Sequence, residues 1–345
     1  MPRVVPIDPV APDRATLAEA VRVLRDGGLV AFPTETVYGL GARAFDARAI
    51  ARVFTAKGRP PTHPLIAHVL DTGAARALAA AWPREASVLA DALWPGPLTL
   101  VVDRASHVPA AISGGADSIA VRVPSHPIAR ALIAALGEPI AAPSANRYQG
   151  LSPTLASHVV KELGDAVDLV LDGGPCDAGV ESTVVDVRGG AMCVLRPGAV
   201  DLGRLRAAGA VAAGAIEVRR ETADAGTPRP SPGMDARHYA PRARLLLAKN
   251  RDEALRTAAL LLSASQGERV GLLLCGAHES VLSHPRLVAR SLPGDPAEYA
   301  RQMYRALHEL DDAGVDVIVA QAVPDGEAWW AVADRQRRGA TSSSQ

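Results

Sequence analysis

The chain has 345 residues, 48% hydrophobic and 21% charged, with 37 basic residues balanced by 37 acidic ones. Cut near residue 210, it carries 20 basic and 20 acidic residues on one side and 17 of each on the other, so neither half has the cationic excess of a dedicated nucleic-acid binder. Cys176, Cys193 and Cys275 are scattered and form no CxxC pair, and no run approaches about 18 uninterrupted apolar residues, which excludes a disulfide framework, a cysteine zinc site and a helical membrane span and leads us to expect a cytoplasmic protein with no stable nucleic-acid or membrane partner.

Aromatic residues make up only 3% of the chain, so the core must be built from Ala, Val, Leu and Ile, which suits closely packed α/β layers. Residues 13–26 carry Leu17, Val21 and Leu24 at helical spacing, Gly27 and Gly28 supply a stop, and residues 29–32 read as a buried strand. A polar turn over 33–39, a helix over 47–56, the segment Lys57-Gly58-Arg59-Pro60 and a strand over 65–69 come next. Two helices precede the turn Trp94-Pro95-Gly96-Pro97. Strands are expected over 98–103, 119–123, 140–142, 169–171, 183–187 and 193–195, with helices over 127–136 and 154–163. Their irregular spacing predicts a mixed sheet wrapped by helices rather than a strict βαβ repeat. Residues 219–241 fall in hydrophobicity and gain Pro and Gly, the composition of a linker, although Arg237, His238 and Tyr239 stand together where a passive spacer would carry Ser or Gly. Beyond it, strands over 244–248, 270–275 and 315–321 alternate with helices over 253–263 and 296–310, which predicts a small parallel α/β sheet without a GxGxxG fingerprint. The expected division is a first domain over 1–212, a linker over 213–242 and a second domain over 243–340.

The chemistry-bearing residues cluster in the first domain. Basic residues are almost all arginine, with lysine only at 57, 161 and 249, so the ammonium of Lys57 beside Arg59 suggests an anion site, with a helix C-terminus capped by Gly58 as the competing reading. Arg122 interrupts an apolar strand and needs an anionic partner, either a structural carboxylate or a bound one. Ser144 and Ser152 lie where a strand ends, where ligands of α/β sheets usually bind, with an Asx or Ser turn as the competing reading, and Ser182 and Arg196 add a hydroxyl and a cation at other strand ends. His68 within an apolar strand could orient a substrate or be a satisfied core residue. There is no Walker A motif, no HExxH and no Ser-His-Asp order, which disfavours a P-loop and hydrolysis by a protein nucleophile. Cations and hydroxyls together suit a polyphosphate plus a small carboxylate, the reactants of adenylate transfer.

The runs PTETVYGLG, KGRP with PLIAHV, WPGPLT, AVRVP, PSAN, ESTVVD, LRPG and SPGMDARHYAP, in this order, resemble the threonylcarbamoyl-AMP synthases, from about residue 12 to 241, and the rest resembles the long form of that family. The resemblance implies an α/β, YrdC-like mixed twisted sheet with surrounding helices, plus a smaller Rossmann-like parallel C-terminal domain. It implies synthesis of L-threonylcarbamoyl-AMP and pyrophosphate from L-threonine, bicarbonate and ATP, with Mg2+ held mainly by ATP phosphates. The product would feed a tRNA threonylcarbamoyl transferase machinery that modifies the adenosine beside the anticodon. Carried over by position, Lys57, Arg59, Ser118, Ser144, Ser152, Arg196 and Tyr239 correspond to the ATP side, with Lys57 and Arg59 catalytic. Thr34, His68, Arg122 and Ser182 correspond to the threonine side. Tyr239 resembles a linker residue that closes over the nucleotide. Pro143 stands where relatives often carry Thr, and Ala142 lacks a side-chain donor, so that any contact from it comes from backbone. Two alternatives share the fold: a carbamoyl-adenylate enzyme using carbamoyl phosphate, and a double-stranded RNA-binding or ribosome-assembly factor.

Overall fold

The stripe of Leu17, Val21 and Leu24 is buried on helix α1 (Arg14–Arg25), whose N-terminus is closed by Asp13 accepting the Thr16 N–H at 2.8 Å. The computed structural model describes residues 1–190, 192–210, 216–218, 238–265, 267–276 and 282–341. Counting the described residues only, the chain divides into one unit over 1–148, 152–177 and 181–218 and a second over 149–151, 178–180 and 238–341. Most of the expected linker, Arg237 included, lies outside the described residues.

The strands of the first unit are β1 (Arg3–Pro6), β2 (Val30–Phe32), β3 (Gly39–Arg43), β4 (Ile66–His68), β5 (Leu98–Asp103), β6 (Ser118–Arg122), β7 (Ile140–Ala141), β8 (Leu169–Asp172), β9 (Thr183–Asp186), β10 (Met192–Arg196) and β11 (Ile216–Val218). They form one mixed sheet in the order β1-β8-β2-β3-β7-β4-β6-β5-β9-β10-β11. The irregular strand spacing is thus resolved as a mixture of parallel and antiparallel neighbours: β4 runs parallel to β6, whereas β5 runs antiparallel to β6 and parallel to β9. Around the sheet lie α1, α2 (Ala47–Lys57), α3 (Thr72–Ala77), α4 (Arg84–Leu93), α5 (Pro127–Leu136), α6 (Ala156–Leu163) and α7 (Leu202–Ala210). Leu17, Val21 and Leu24 of α1 meet Ile128, Leu132 and Leu136 of α5 over Val30, Phe32, Leu169 and Leu171, all buried in one core cluster. Helix α6 starts two residues later than expected, at Ala156, after Pro153 and Thr154.

The second unit holds β12 (Arg244–Ala248), α8 (Arg251–Ala264), β13 (Val270–Cys275), β14 (Leu287–Leu292), α9 (Pro296–Asp312), β15 (Val317–Gln321) and α10 (Trp330–Gly339). Its sheet has the order β12-β15-β13-β14 and every pairing is parallel, so the expected small parallel sheet is present with β14 added at its edge. The apolar strands Val270–Cys275 and Val317–Gln321 occupy its centre, as near-continuous hydrophobic strands do in parallel sheets.

Candidate active site

Successive residues of a strand point to opposite faces, so Ser118, Ala120 and Arg122 of β6 share one face. Pairing carries that face outward: Ile66 and His68 of β4 stand beside Ala120 and Arg122, Val101 of β5 beside Ala120, and Val184 of β9 beside Thr99. Ile66, Val101, Ala120, Val184 and Leu195 form a buried apolar cluster there. At about 3.3 Å per residue, Ser118 and Arg122 lie roughly 13 Å apart along this floor. Polar groups gather at both ends.

At one end, Arg122 is only 3% exposed. Its Nε donates to Gly96 O at 3.3 Å and its Nη1 to Thr36 Oγ1 at 3.0 Å, while Nη2 lies 2.7 Å from Glu35 Oε1. Of the two partners the sequence left open for Arg122, the chain itself supplies a carboxylate. Thr36 and Glu35 are presented by the turn between β2 and β3, which Thr34 organises. Its hydroxyl donates to Val37 O at 2.7 Å, lies 2.8 Å from Thr36 Oγ1 and receives the Thr36 and Val37 N–H groups at 3.2 and 3.3 Å. Tyr38 pins the far side of the turn, its N–H bonded to Pro153 O at 2.8 Å and its hydroxyl to Gly174 O at 2.7 Å. His68, beside Arg122, has Nδ1 3.3 Å from Ile66 O. Burial, aided by the Arg122 charge, pushes its pKa down to about 3, so the ring is neutral at physiological pH.

Towards the other end, α2 finishes in Lys57 and turns at Gly58, whose φ of 61° is left-handed. The turn sends Lys57 and Arg59 to neighbouring places. Lys57 Nζ donates to Ser144 O and Asn146 O, each at 2.5 Å, and Arg59 Nη2 donates to Pro64 O at 2.9 Å. Ser144 is bridged to Gly39, and Pro64 precedes by two residues Ile66, the partner of Ala120, which puts it level with Ser118. Lys57, Arg59, Ser118 and Ser144 therefore collect at one end of the floor. Burial first, and then the Arg59 charge, hold the Lys57 ammonium well below the usual lysine range.

A third group forms the wall at β9 and β10. Arg196 Nε and Nη2 donate to Ser182 O at 3.1 and 2.9 Å, and Nη2 also reaches Ser182 Oγ at 3.0 Å. Ser182 Oγ lies 2.8 Å from Thr99 Oγ1, and Ser152 Oγ bonds to the Glu181 carboxylate. Thr183 closes the adjoining turn, donating to Val200 O at 2.7 Å and accepting the Val200 N–H at 3.0 Å.

The structure thus joins Thr34, His68 and Arg122, sets Lys57, Arg59, Ser118 and Ser144 together, and ties Arg196 and Ser152 to the segment bearing Ser182. Tyr239 belongs to the second unit. There it is buried with φ 62°, its ring 4.5 Å from the Arg335 guanidinium carbon and 4.0 Å from the His238 ring. Glu35, Thr36 and Thr99 were not singled out as site residues. Glu35 could have been paired with Arg122 by charge, as a lone acid in the turn and a lone cation in an apolar strand. Thr99 gives no signal, because threonine is ordinary in a strand.

Residues 22–198 match the Sua5/yciO/yrdC family model, described as "Telomere recombination", and residues 201–341 match "Threonylcarbamoyl-AMP synthase, C-terminal domain". The chain is 39% identical over 329 residues to the threonylcarbamoyl-AMP synthase of Pyrococcus abyssi, covering 92% of each chain. It is 36% identical over 335 residues to that of Bacillus subtilis, with 96% of this chain and 95% of the relative aligned. Among solved structures, the crystal structure of P. abyssi Sua5 complexed with L-threonine superposes with a TM-score of 0.88 at 37% identity, over 97% of each chain.

Proposed function

The chain belongs to the long form of the threonylcarbamoyl-AMP synthase family, and on that premise we propose how its residues divide the work. The enzyme makes L-threonylcarbamoyl-AMP and pyrophosphate from L-threonine, bicarbonate and ATP, for N6-threonylcarbamoyladenosine formation in tRNA. The observation that carries the division is the floor of β6, with a buried guanidinium at one end and two cations gathered at the other.

Arg122, His68 and Thr34 hold threonine. Arg122 takes the carboxylate, a planar anion that suits its fork, and the neutral His68 ring serves as a hydrogen-bond partner without adding charge. Lys57, Arg59, Ser118 and Ser144 hold the triphosphate. Arg196, Ser182 and Ser152 form the wall between the two ligands. The threonine nitrogen captures bicarbonate, and the resulting carbamate oxygen bonds to the α-phosphorus as the bond to the pyrophosphate oxygen breaks. Positioning and charge neutralisation supply the catalysis, since no protein nucleophile is required. Among the described residues no group of three or more His, Cys, Asp or Glu could hold a metal. Mg2+ would arrive on the phosphate oxygens as part of the nucleotide substrate, as the family's chemistry implies. The mixed anhydride passes to a tRNA threonylcarbamoyl transferase machinery, and we place the reaction in the cytoplasm.

Pyrophosphate release from ATP with threonine and bicarbonate, each omitted in turn, tests the reading. Release requires all three. Release sustained by carbamoyl phosphate in place of threonine and bicarbonate would assign the site to carbamoyl-adenylate chemistry instead.

Lys57 adds a second expectation. Its two bonds to Ser144 O and Asn146 O satisfy a neutral amine, whereas an ammonium has a third N–H to spend on a phosphate oxygen. The depressed pKa is raised again when phosphate arrives, so nucleotide binding takes up a proton at pH values between the two pKa values. Calorimetry in two buffers of different ionisation enthalpy, at a series of pH values below the ordinary lysine value of about 10.4, reads this uptake in the wild type and its loss in Lys57→Met. Equal uptake by both proteins removes Lys57 from the phosphate site.

A further inference from the structure

The Glu35 carboxylate is buried to 6% exposure and stands 2.7 Å from Arg122 Nη2, yet neither of its oxygens, nor Arg122 Nη2, makes a hydrogen bond with correct geometry to a described residue. Burial opposes the charged carboxylate, and the Arg122 guanidinium in ion-pair contact favours it. The backbone N–H groups of Glu35 and Ser125 favour the charged carboxylate but none stands in hydrogen-bonding geometry to it. His126 faces the same carboxylate, but its Nδ1 already accepts the Ile128 N–H at 3.2 Å. A buried carboxylate can accept about four hydrogen bonds, and leaving them unmade is costly. A buried ion pair is in any case a poor source of stability. Unspent donors on Arg122 beside unspent acceptors on Glu35 form the complement of an amino-acid zwitterion.

We propose that Glu35 is the group that binds the α-ammonium of the amino-acid substrate, while Arg122 Nη2 binds its carboxylate. This rests on the assignment of Arg122 to threonine made above. Arg122 holds Glu35 ionised against the opposing effect of burial, so Glu35 acts as counter-ion and no proton transfer is asked of it. The reaction at nitrogen, R–NH3⁺ + HCO3⁻ giving R–NH–COO⁻ + H2O + H⁺, releases its proton to solvent. The carbamate keeps one N–H for the same Glu35 oxygen. Discrimination in favour of the amine therefore begins in the ground state.

The test compares L-threonine with 2,3-dihydroxybutyrate, which replaces the amine by a hydroxyl, in wild type and in Glu35→Gln, by equilibrium binding. Wild type binds the hydroxy acid at least about tenfold more weakly. In Glu35→Gln, threonine affinity falls about 10- to 100-fold, the worth of a hydrogen bond between charged groups, whereas the hydroxy acid is little affected, so the ratio approaches one. A merely structural role would weaken both ligands alike and leave the ratio at its wild-type value, which overturns the proposal. Should Glu35→Gln not fold, Glu35→Asp carries the same ratio. The shortened carboxylate lowers it, and an unchanged ratio again overturns the proposal. Threonine-dependent pyrophosphate release by the wild type, measured alongside, fails only if the function itself is misassigned.

Discussion

Lys57→Ala lowers the rate of pyrophosphate formation about 100- to 1,000-fold, the usual loss when one preorganised donor to developing charge is removed, and the protein stays folded. The turn at Gly58 leaves Lys57 as the last residue of α2, with its Nζ drawn under Ser144 O and Asn146 O. Two of its donors are fixed by backbone, so the third has one direction left. That is the preorganisation an enzyme needs, because no reorganisation is then required as negative charge grows on the departing pyrophosphate. The fold survives because a buried ammonium is itself unfavourable. With its native pKa below the unfolded value of 10.5, the unfolded chain binds more protons in the window between the two, and wild-type stability without ligand rises with pH across that window. Lys57→Ala flattens this rise. Single-turnover pyrophosphate release and denaturation midpoints at several pH values check both halves. A variant retaining more than about a tenth of the wild-type rate would refute the role of Lys57.

The sequence made the framework legible wherever apolar spacing is strict. Helix α5 occupies residues 127–136 as expected, because Ile128, Leu132 and Leu136 share a stripe and Pro127 and Gly137 fix its ends. It failed where burial is polar. Helix α10 buries Asp334, Arg335 and Gln336, side chains that ordinary amphipathic reading assigns to the surface, and so it left no apolar stripe to read. Strand β1 is exposed or half-buried, as is β14 up to its last residue, Leu292, which weakens the two-residue alternation that identifies a strand. The same contrast runs through the site. Lys57 and Arg122 stood out because each interrupts an expected pattern, a chain otherwise using arginine and a strand otherwise apolar. Glu35 did not, since an acid among hydroxyls in a turn between proline and glycine is what a solvent-facing turn also looks like. Its burial is set by what packs over it from Arg122 and the start of α5, long-range neighbours that a local window does not contain.

The wall formed by Ser182 and Arg196 yields the other large effect, through a residue with no side chain. A Cβ on Gly198 would press into the Ser182 carbonyl carbon and the Thr183 nitrogen and come within 2.5 Å of Glu181 O, all backbone, with no flexible side chain to give way. Gly198→Ala therefore pushes the 196–200 turn off the 181–183 segment, breaking the register in which Ala199 N bonds to Glu181 O at 3.0 Å and Arg196 to Ser182 O at 2.9 Å. The expected stability loss is about 1–3 kcal/mol, typical of overpacking. The rate loss is larger, about 100-fold, because a displacement of roughly 1 Å misaligns groups at the reacting centre. Gly137→Ala is the control: φ there is 79° and a Cβ meets nothing within 4 Å, so that variant stores about 1–2 kcal/mol of left-handed strain with no displacement near the site. Two variants of similar melting loss should thus differ widely in kcat/KM. If Gly198→Ala instead turns over like Gly137→Ala, Ser182 and Arg196 do not need their observed positions, and the wall has no part in catalysis.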